Sequence, residues 1–67
     1  MELKKKLNET EINILRLVNF GHSNQEIADK LTITVGTTKW YLHRIFGKLT
    51  VRNRTAAVAK ARRRGLL

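Results

Sequence analysis

Few side chains in this 67-residue chain are of a type that does covalent or metal chemistry. There is no cysteine, Asp29 is the sole aspartate, and His22 and His43 are the only imidazoles. Neither histidine has a nucleophile or an acid partner evident in the sequence, so the chain does not read as an enzyme. A closed zinc site lacks ligands without thiols, and no metal or cofactor is expected. What remains is a concentration of donors and cations. On a wheel of about 100° per residue, Trp40, His43 and Gly47, flanked by Lys39 and Arg44, share one face of a helix. Opposite them, Leu42, Ile45 and Leu49 fall within about 40° of Thr38 and form with it an apolar stripe that must face a core. A solvated helix normally mixes Glu with Lys at spacings of four, yet no acid follows Asp29. The outward face suits an anionic partner.

These side chains need a rigid carrier, and the stretch from Ser23 to Leu49 reads as a short helix, a tight turn and a longer helix. Ser23 with Glu26 fits a capping box, in which the serine accepts from a first-turn amide and the glutamate reaches back to the Ser23 amide. Ile27, Ala28 and Leu31 then face inward, Thr32 and Ile33 make the turn, and Thr34 is the N-cap of the longer helix. The first-turn amides next to Ser23 and Asn24 form a positive dipole end where a phosphate can also bind. Ser23 reads equally as a cap alone. Gly36 falls in the first turn of the longer helix, where lost propensity matters least. Gly47 sits mid-helix at a cost of about 1 kcal/mol relative to alanine, and reads either as a place of close approach or as tolerated weakness.

The flanking segments brace this pair. Asn8 followed by Glu11 repeats the capping box, with Ile12, Leu15, Val18 and Phe20 as the core face of a first helix and Gly21 at its end. Residues 1–7 lack a cap and a full period, so the run from Lys4 to Lys6 reads as an arm or linker remnant. Asn53 caps a last helix that Gly65 ends. That helix carries Ala56, Ala57, Ala59 and Ala61 around much of its girth. One flank is expected to dock through Val58, while another either meets a second copy or stays solvated. The expected helices are about 9–20, 24–31, 35–49 and 54–64, an all-α fold without β-type alternation.

A single domain of this size buries only about 60% of the surface its unfolded chain exposes. Without disulfides, the fold rests on packing, on caps or on a partner. The longest apolar runs fall far short of the roughly 20 residues that span a bilayer, and no signal-peptide pattern opens the chain, so a cytoplasmic protein is expected. The net charge of +9 is divided unevenly. Up to Thr32, five basic residues balance five acids; from Ile33 onward there are nine basic residues and no acid. Such a field draws in and orients a polyanion, and nucleic acid fits best.

The segments LNETEINIL, GHSNQEIADKL, TTKWYL followed by Ile45, Lys48 and Leu49, and VRNRTAAV together resemble the LuxR/FixJ-type DNA-binding domain over nearly the whole chain. The resemblance implies four helices containing a helix-turn-helix at about residues 23–42, as the output domain of a bacterial transcriptional regulator. It implies the third helix in the major groove of double-stranded DNA and homodimerisation through the fourth helix on inverted half-sites. Base reading is carried over to Lys39, Trp40 and His43: Lys39 would donate to guanine O6 and N7, His43 would donate or accept by tautomer, and Trp40 would meet a thymine methyl. A Trp40 lying against a neighbouring helix is the plainer alternative. Thr37, Arg44, Lys48, Arg52 and Arg54, with Ser23 and Asn24, would hold phosphates and set register. Ala56, Ala59, Lys60 and Arg63 would form the dimer face, and RNA polymerase is a further candidate partner.

Three positions depart from the family pattern: Thr38 where Val or Ile is usual, Tyr41 where His is common, and Thr50 where Gly is usual. Thr50 is expected in a left-handed conformation that β-branching penalises. With no receiver domain in the chain, it reads as a C-terminal piece of a longer regulator in preference to a small stand-alone one. The rival class is a helix-turn-helix used as a protein-protein adaptor, whose surface would be less purely basic. A membrane-surface peptide fits poorly, because AVAKARRRGLL has too little apolar moment.

Overall fold

The computed structural model describes residues 6–67 and contains α1 (Glu9–Asn19), α2 (Asn24–Leu31), α3 (Val35–Leu49) and α4 (Arg54–Arg63), with no strand among the described residues. Each helix begins at a residue whose own side chain caps it. Asn8 and Ser23 accept from the amides of Glu11 and Glu26, and those glutamates accept in return from the cap amides. Thr34 and Asn53 cap α3 and α4 by accepting from the amides of Thr37 and Ala56. A cap of this kind contributes about 1 kcal/mol, so the set matters in a domain with so small a core.

The helices also stop alike. The amides of His22, Ile33, Val51 and Leu66 reach back to the carbonyls of Leu17, Ala28, Phe46 and Ala61 at 3.1, 2.9, 3.0 and 2.9 Å. Each return passes through one residue of positive φ: Gly21, Thr32, Thr50 or Gly65. The glycines take that conformation freely, whereas Thr32 and Thr50, at φ 58° and 59°, hold a branched Cβ against the following carbonyl. The strain expected at Thr50 is present, and Thr32 shares it. Thr50→Gly is expected to stabilise the domain by about 1 kcal/mol, after glycine's greater chain entropy is subtracted, as a raised midpoint in urea unfolding.

The core gathers Ile14, Leu15, Ile27, Ile45, Leu49, Ala57 and Ala61, all fully buried, with Leu7, Val18 and Leu42 around them. The apolar stripe of α3 therefore faces inward as its periodicity requires. Thr38 is fully buried with it, and its hydroxyl donates to the Thr34 carbonyl at 3.1 Å, which leaves no unmet donor inside.

Several expectations for the bracing segments are corrected. Phe20 is not a core residue: it is 74% exposed, on the side of α1 that carries the exposed Asn13 and Arg16, and Ile14 fills the core instead. Val58 packs half-buried against the core as expected, but the fully buried contacts of α4 are Ala57 and Ala61, whose small side chains let it approach α1 and α3. Leu7 is not part of a loose arm. It joins the core cluster, against which Ile12 also packs, as a hydrophobic staple does just before a cap. α1 and α4 each end one residue earlier than expected, and Lys4 and Lys5 lie outside the described residues.

Candidate nucleic-acid interface

With its stripe pinned in the core, α3 presents the opposite face to solvent. Trp40 is 55% exposed, and Lys39 and His43 are exposed beside it, so the tryptophan does not lie buried against a neighbouring helix. Its ring meets the edge of Tyr41 at 5.1 Å between centroids and 72° between planes. From the next turn, the guanidinium carbon of Arg44 stands 5.4 Å from the Trp40 ring centre, within cation–π range. Gly47 continues this face. A Cβ there would meet nothing within 4 Å, so the domain's own packing does not require the glycine.

The two flanks of the face differ in how their charges are used. Toward α2, Lys39 and His43 line a shallow cleft of about 330 Å³ with Asn24, Leu42, Phe46 and Arg54. No carboxylate pairs with Lys39, Arg52 or Arg54 among the described residues. In the cleft wall, the Oδ1 of Asn24 is buried without a hydrogen-bond partner. Turning the amide over offers Nδ2 as a donor to an anionic oxygen instead. Ser23 is exposed at the start of α2, where its hydroxyl accepts from the Glu26 amide at 3.1 Å. Thr37 is exposed, and its hydroxyl accepts from that of Thr34 at 3.0 Å. Arg52 is exposed in the α3–α4 link, and half-buried Arg54 donates to the His22 carbonyl at 3.4 Å.

Toward α1 the cations are already engaged. The Glu11 side chain is fully buried and accepts from Arg44 Nε at 3.0 Å, from Lys48 Nζ at 2.8 Å and from the Asn8 amide at 2.9 Å. Lys48 Nζ also donates to the Lys6 carbonyl at 3.2 Å. Of the two cations expected at phosphates, Lys48 has a side chain only 16% exposed and is engaged by Glu11, while Arg44, at 48%, keeps one side in solvent. A carboxylate without solvent needs cations close by, and the α1 flank of α3 supplies two at a spacing of four.

Burial pushes the Glu11 carboxyl up, but Lys48, the Asn8 amide and Arg44 outweigh it and hold the group below its ordinary value of 4.5. The hydrogen bond from the Ser23 amide, with burial opposing it and His22 assisting, likewise holds Glu26 low. A carboxyl lowered by folding stabilises fully above its unfolded value, and that contribution is lost as pH falls through the folded value. The urea midpoint is therefore expected to fall as pH drops below 4.5, and less steeply in Glu11→Gln.

The residues assigned to a dimer lie elsewhere. Ala56 and Lys60 are half-buried and Ala59 and Arg63 exposed, in a stripe of α4 turned away from the docked Ala57 and Ala61.

The family model for bacterial regulatory proteins, luxR family, matches residues 5–61. The chain belongs to that family. Among its luxR relatives, the HTH-type transcriptional regulator AlkS of Alcanivorax borkumensis is 51% identical over 57 residues, which are 85% of this chain and 6% of AlkS. The response regulator protein VraR of Staphylococcus aureus is 44% identical over 66 residues, 98% of this chain and 32% of VraR. The crystal structure of the response regulator ChrA, from a heme-sensing two-component system, matches with a TM-score of 0.89 at 44% identity, over 92% of this chain and 31% of ChrA. The chain thus spans between 6% and 32% of the length of these relatives. A luxR-family domain of this kind is a DNA-binding output domain, and the four-helix, all-α architecture is the one the family requires.

Proposed function

We propose that this chain is the output domain of a transcriptional regulator, binding double-stranded DNA by sequence with α3 in the major groove. One observation carries the reading: α3 of a luxR-family helix-turn-helix holds Lys39, Trp40 and His43 exposed, with no carboxylate paired to Lys39 or His43 among the described residues, while its other face is buried. Lys39 would donate to a guanine edge, His43 to an adjacent base, and Trp40 would cover a thymine methyl. Ser23, Asn24, Thr37, Arg52 and Arg54 would hold phosphates and fix the register of α3. The domain works by binding alone, with residues 8–67 as its unit and Leu7 closing its first helix. Contact with RNA polymerase and a place in the cytoplasm follow from the same reading.

The dimer face on α4 accounts for half-sites. Ala56 and Ala59 permit close approach of a second copy, but Lys60 and Arg63 bring like charges together, and α4 has no acid to offset them. Association should therefore be weak in free protein and strong on a polyanion. Selection from a random duplex pool is expected to enrich an inverted repeat, and sedimentation on that duplex to give two chains per site. An unenriched pool would reject sequence-specific binding, and a strict 1:1 complex would reject the dimer.

A further inference from the structure

We propose that Glu11 is a positioning residue for base reading: through Arg44 it fixes the Trp40 ring on the outward face of α3, and it withholds Arg44 and Lys48 from indiscriminate contact with phosphates. The inference rests on the DNA-binding reading and adds to it a source of sequence discrimination lying on α1. Its basis is a chain of contacts running from the buried interior to the exposed ring. Glu11 Oε2 holds Arg44 Nε at 3.0 Å, and the same guanidinium stands 5.4 Å from the Trp40 centroid. Tyr41 adds a T-shaped contact with the same ring at 5.1 Å. An exposed tryptophan on a helix otherwise moves among rotamers, and each one lost on binding costs affinity. A ring already in contact with an anchored guanidinium and with a tyrosine ring has less to lose.

Charge makes the second part of the effect. Free of Glu11, Arg44 and Lys48 would each attract any duplex, whatever its sequence. Tied to a buried carboxylate, they add little to the affinity for wrong sites. Glu11 thereby raises the ratio of specific to random binding, although it lies inside the domain and touches no DNA.

Trp40 is the sole tryptophan, so its time-resolved fluorescence anisotropy in free, folded protein reports this ring alone. Glu11→Gln keeps an acceptor for the Asn8 amide and removes the charge; Arg44→Met removes the guanidinium at an exposed position and leaves Lys48 paired. Both variants are expected to speed ring motion while helical circular dichroism is retained, and the double variant to move no faster than Arg44→Met. Glu11→Gln is further expected to bind random duplex severalfold more tightly, with a steeper dependence on salt, so that the ratio of selected to random affinity falls roughly tenfold. Ring motion unchanged in Arg44→Met overturns the proposal, and so does a Glu11→Gln protein that loses selected and random duplex alike, as simple destabilisation would produce. Should Glu11→Gln not fold, the ring motion of Arg44→Met decides. Failure of the wild-type domain to bind selected duplex would reject the DNA reading by a separate measurement.

Discussion

Truncating Ile45 to alanine is expected to remove about 2 to 5 kcal/mol of stability, the usual range for emptying a fully enclosed aliphatic site. Ile45 is fully buried at the middle of α3, and α3 packs on each of the other three helices. The lost side chain therefore leaves a cavity within the core cluster that α3 shares with the other helices. At about 0.05 to 0.15 kcal/mol per residue, a domain of this size holds about 3 to 10 kcal/mol in total. The substitution removes much of that margin, and the loss is read as a lowered midpoint in urea followed by helical circular dichroism. Selected duplex added at about 100 times its Kd should return about 2.7 kcal/mol, because DNA binds only the folded form. A cost below about 1 kcal/mol would mean that the core closes over the gap and that α3 is less firmly anchored than its burial implies.

What could be read from the sequence was what is local in it. Both capping boxes lie within four residues, and the stripe of Thr38, Leu42, Ile45 and Leu49 repeats over about three turns, so neither needs tertiary knowledge. Phe20 illustrates residue type misleading where position does not. It keeps helical φ and ψ and its amide bonds to the Arg16 carbonyl, so the 3.6-residue repeat still places it, with Asn13 and Arg16, opposite Ile14, Leu15 and Val18; its apolar type, not its position, suggested the core. Full burial of Ala57 and Ala61 beside a half-buried Val58 was hidden because the crossing distance, and not side-chain size, decides which residues of α4 lie deepest. The pairing of Glu11 was the least legible feature. Its partners lie 33 and 37 residues away, and the one available signal was that Arg44 and Lys48 share a flank of α3 without an acid on their own helix. A cation pair with no local partner is a reason to look for a distant carboxylate.

Replacing Lys39 by alanine is expected to cost about 1 to 3 kcal/mol on selected duplex, roughly 5- to 150-fold in Kd, and to relax the choice at one base pair. Lys39 is exposed, pairs with no carboxylate among the described residues, and lines the cleft between α2 and α3. Its removal should shift the urea midpoint by less than about 0.5 kcal/mol, so any loss of binding belongs to the contact and not to the fold. Arg54→Ala provides the contrast. Arg54 sits at the start of α4, and its loss should weaken selected and random duplex together and lower the salt slope by about 0.9. Because Arg54 also holds the His22 carbonyl, part of its effect will appear as lost stability, which the urea midpoint separates. The two variants thus distinguish reading a base from gripping a backbone by the pattern of losses across sequences. Equal losses for Lys39→Ala on selected and random DNA would place Lys39 with the phosphate contacts and leave Trp40 and His43 to carry the sequence.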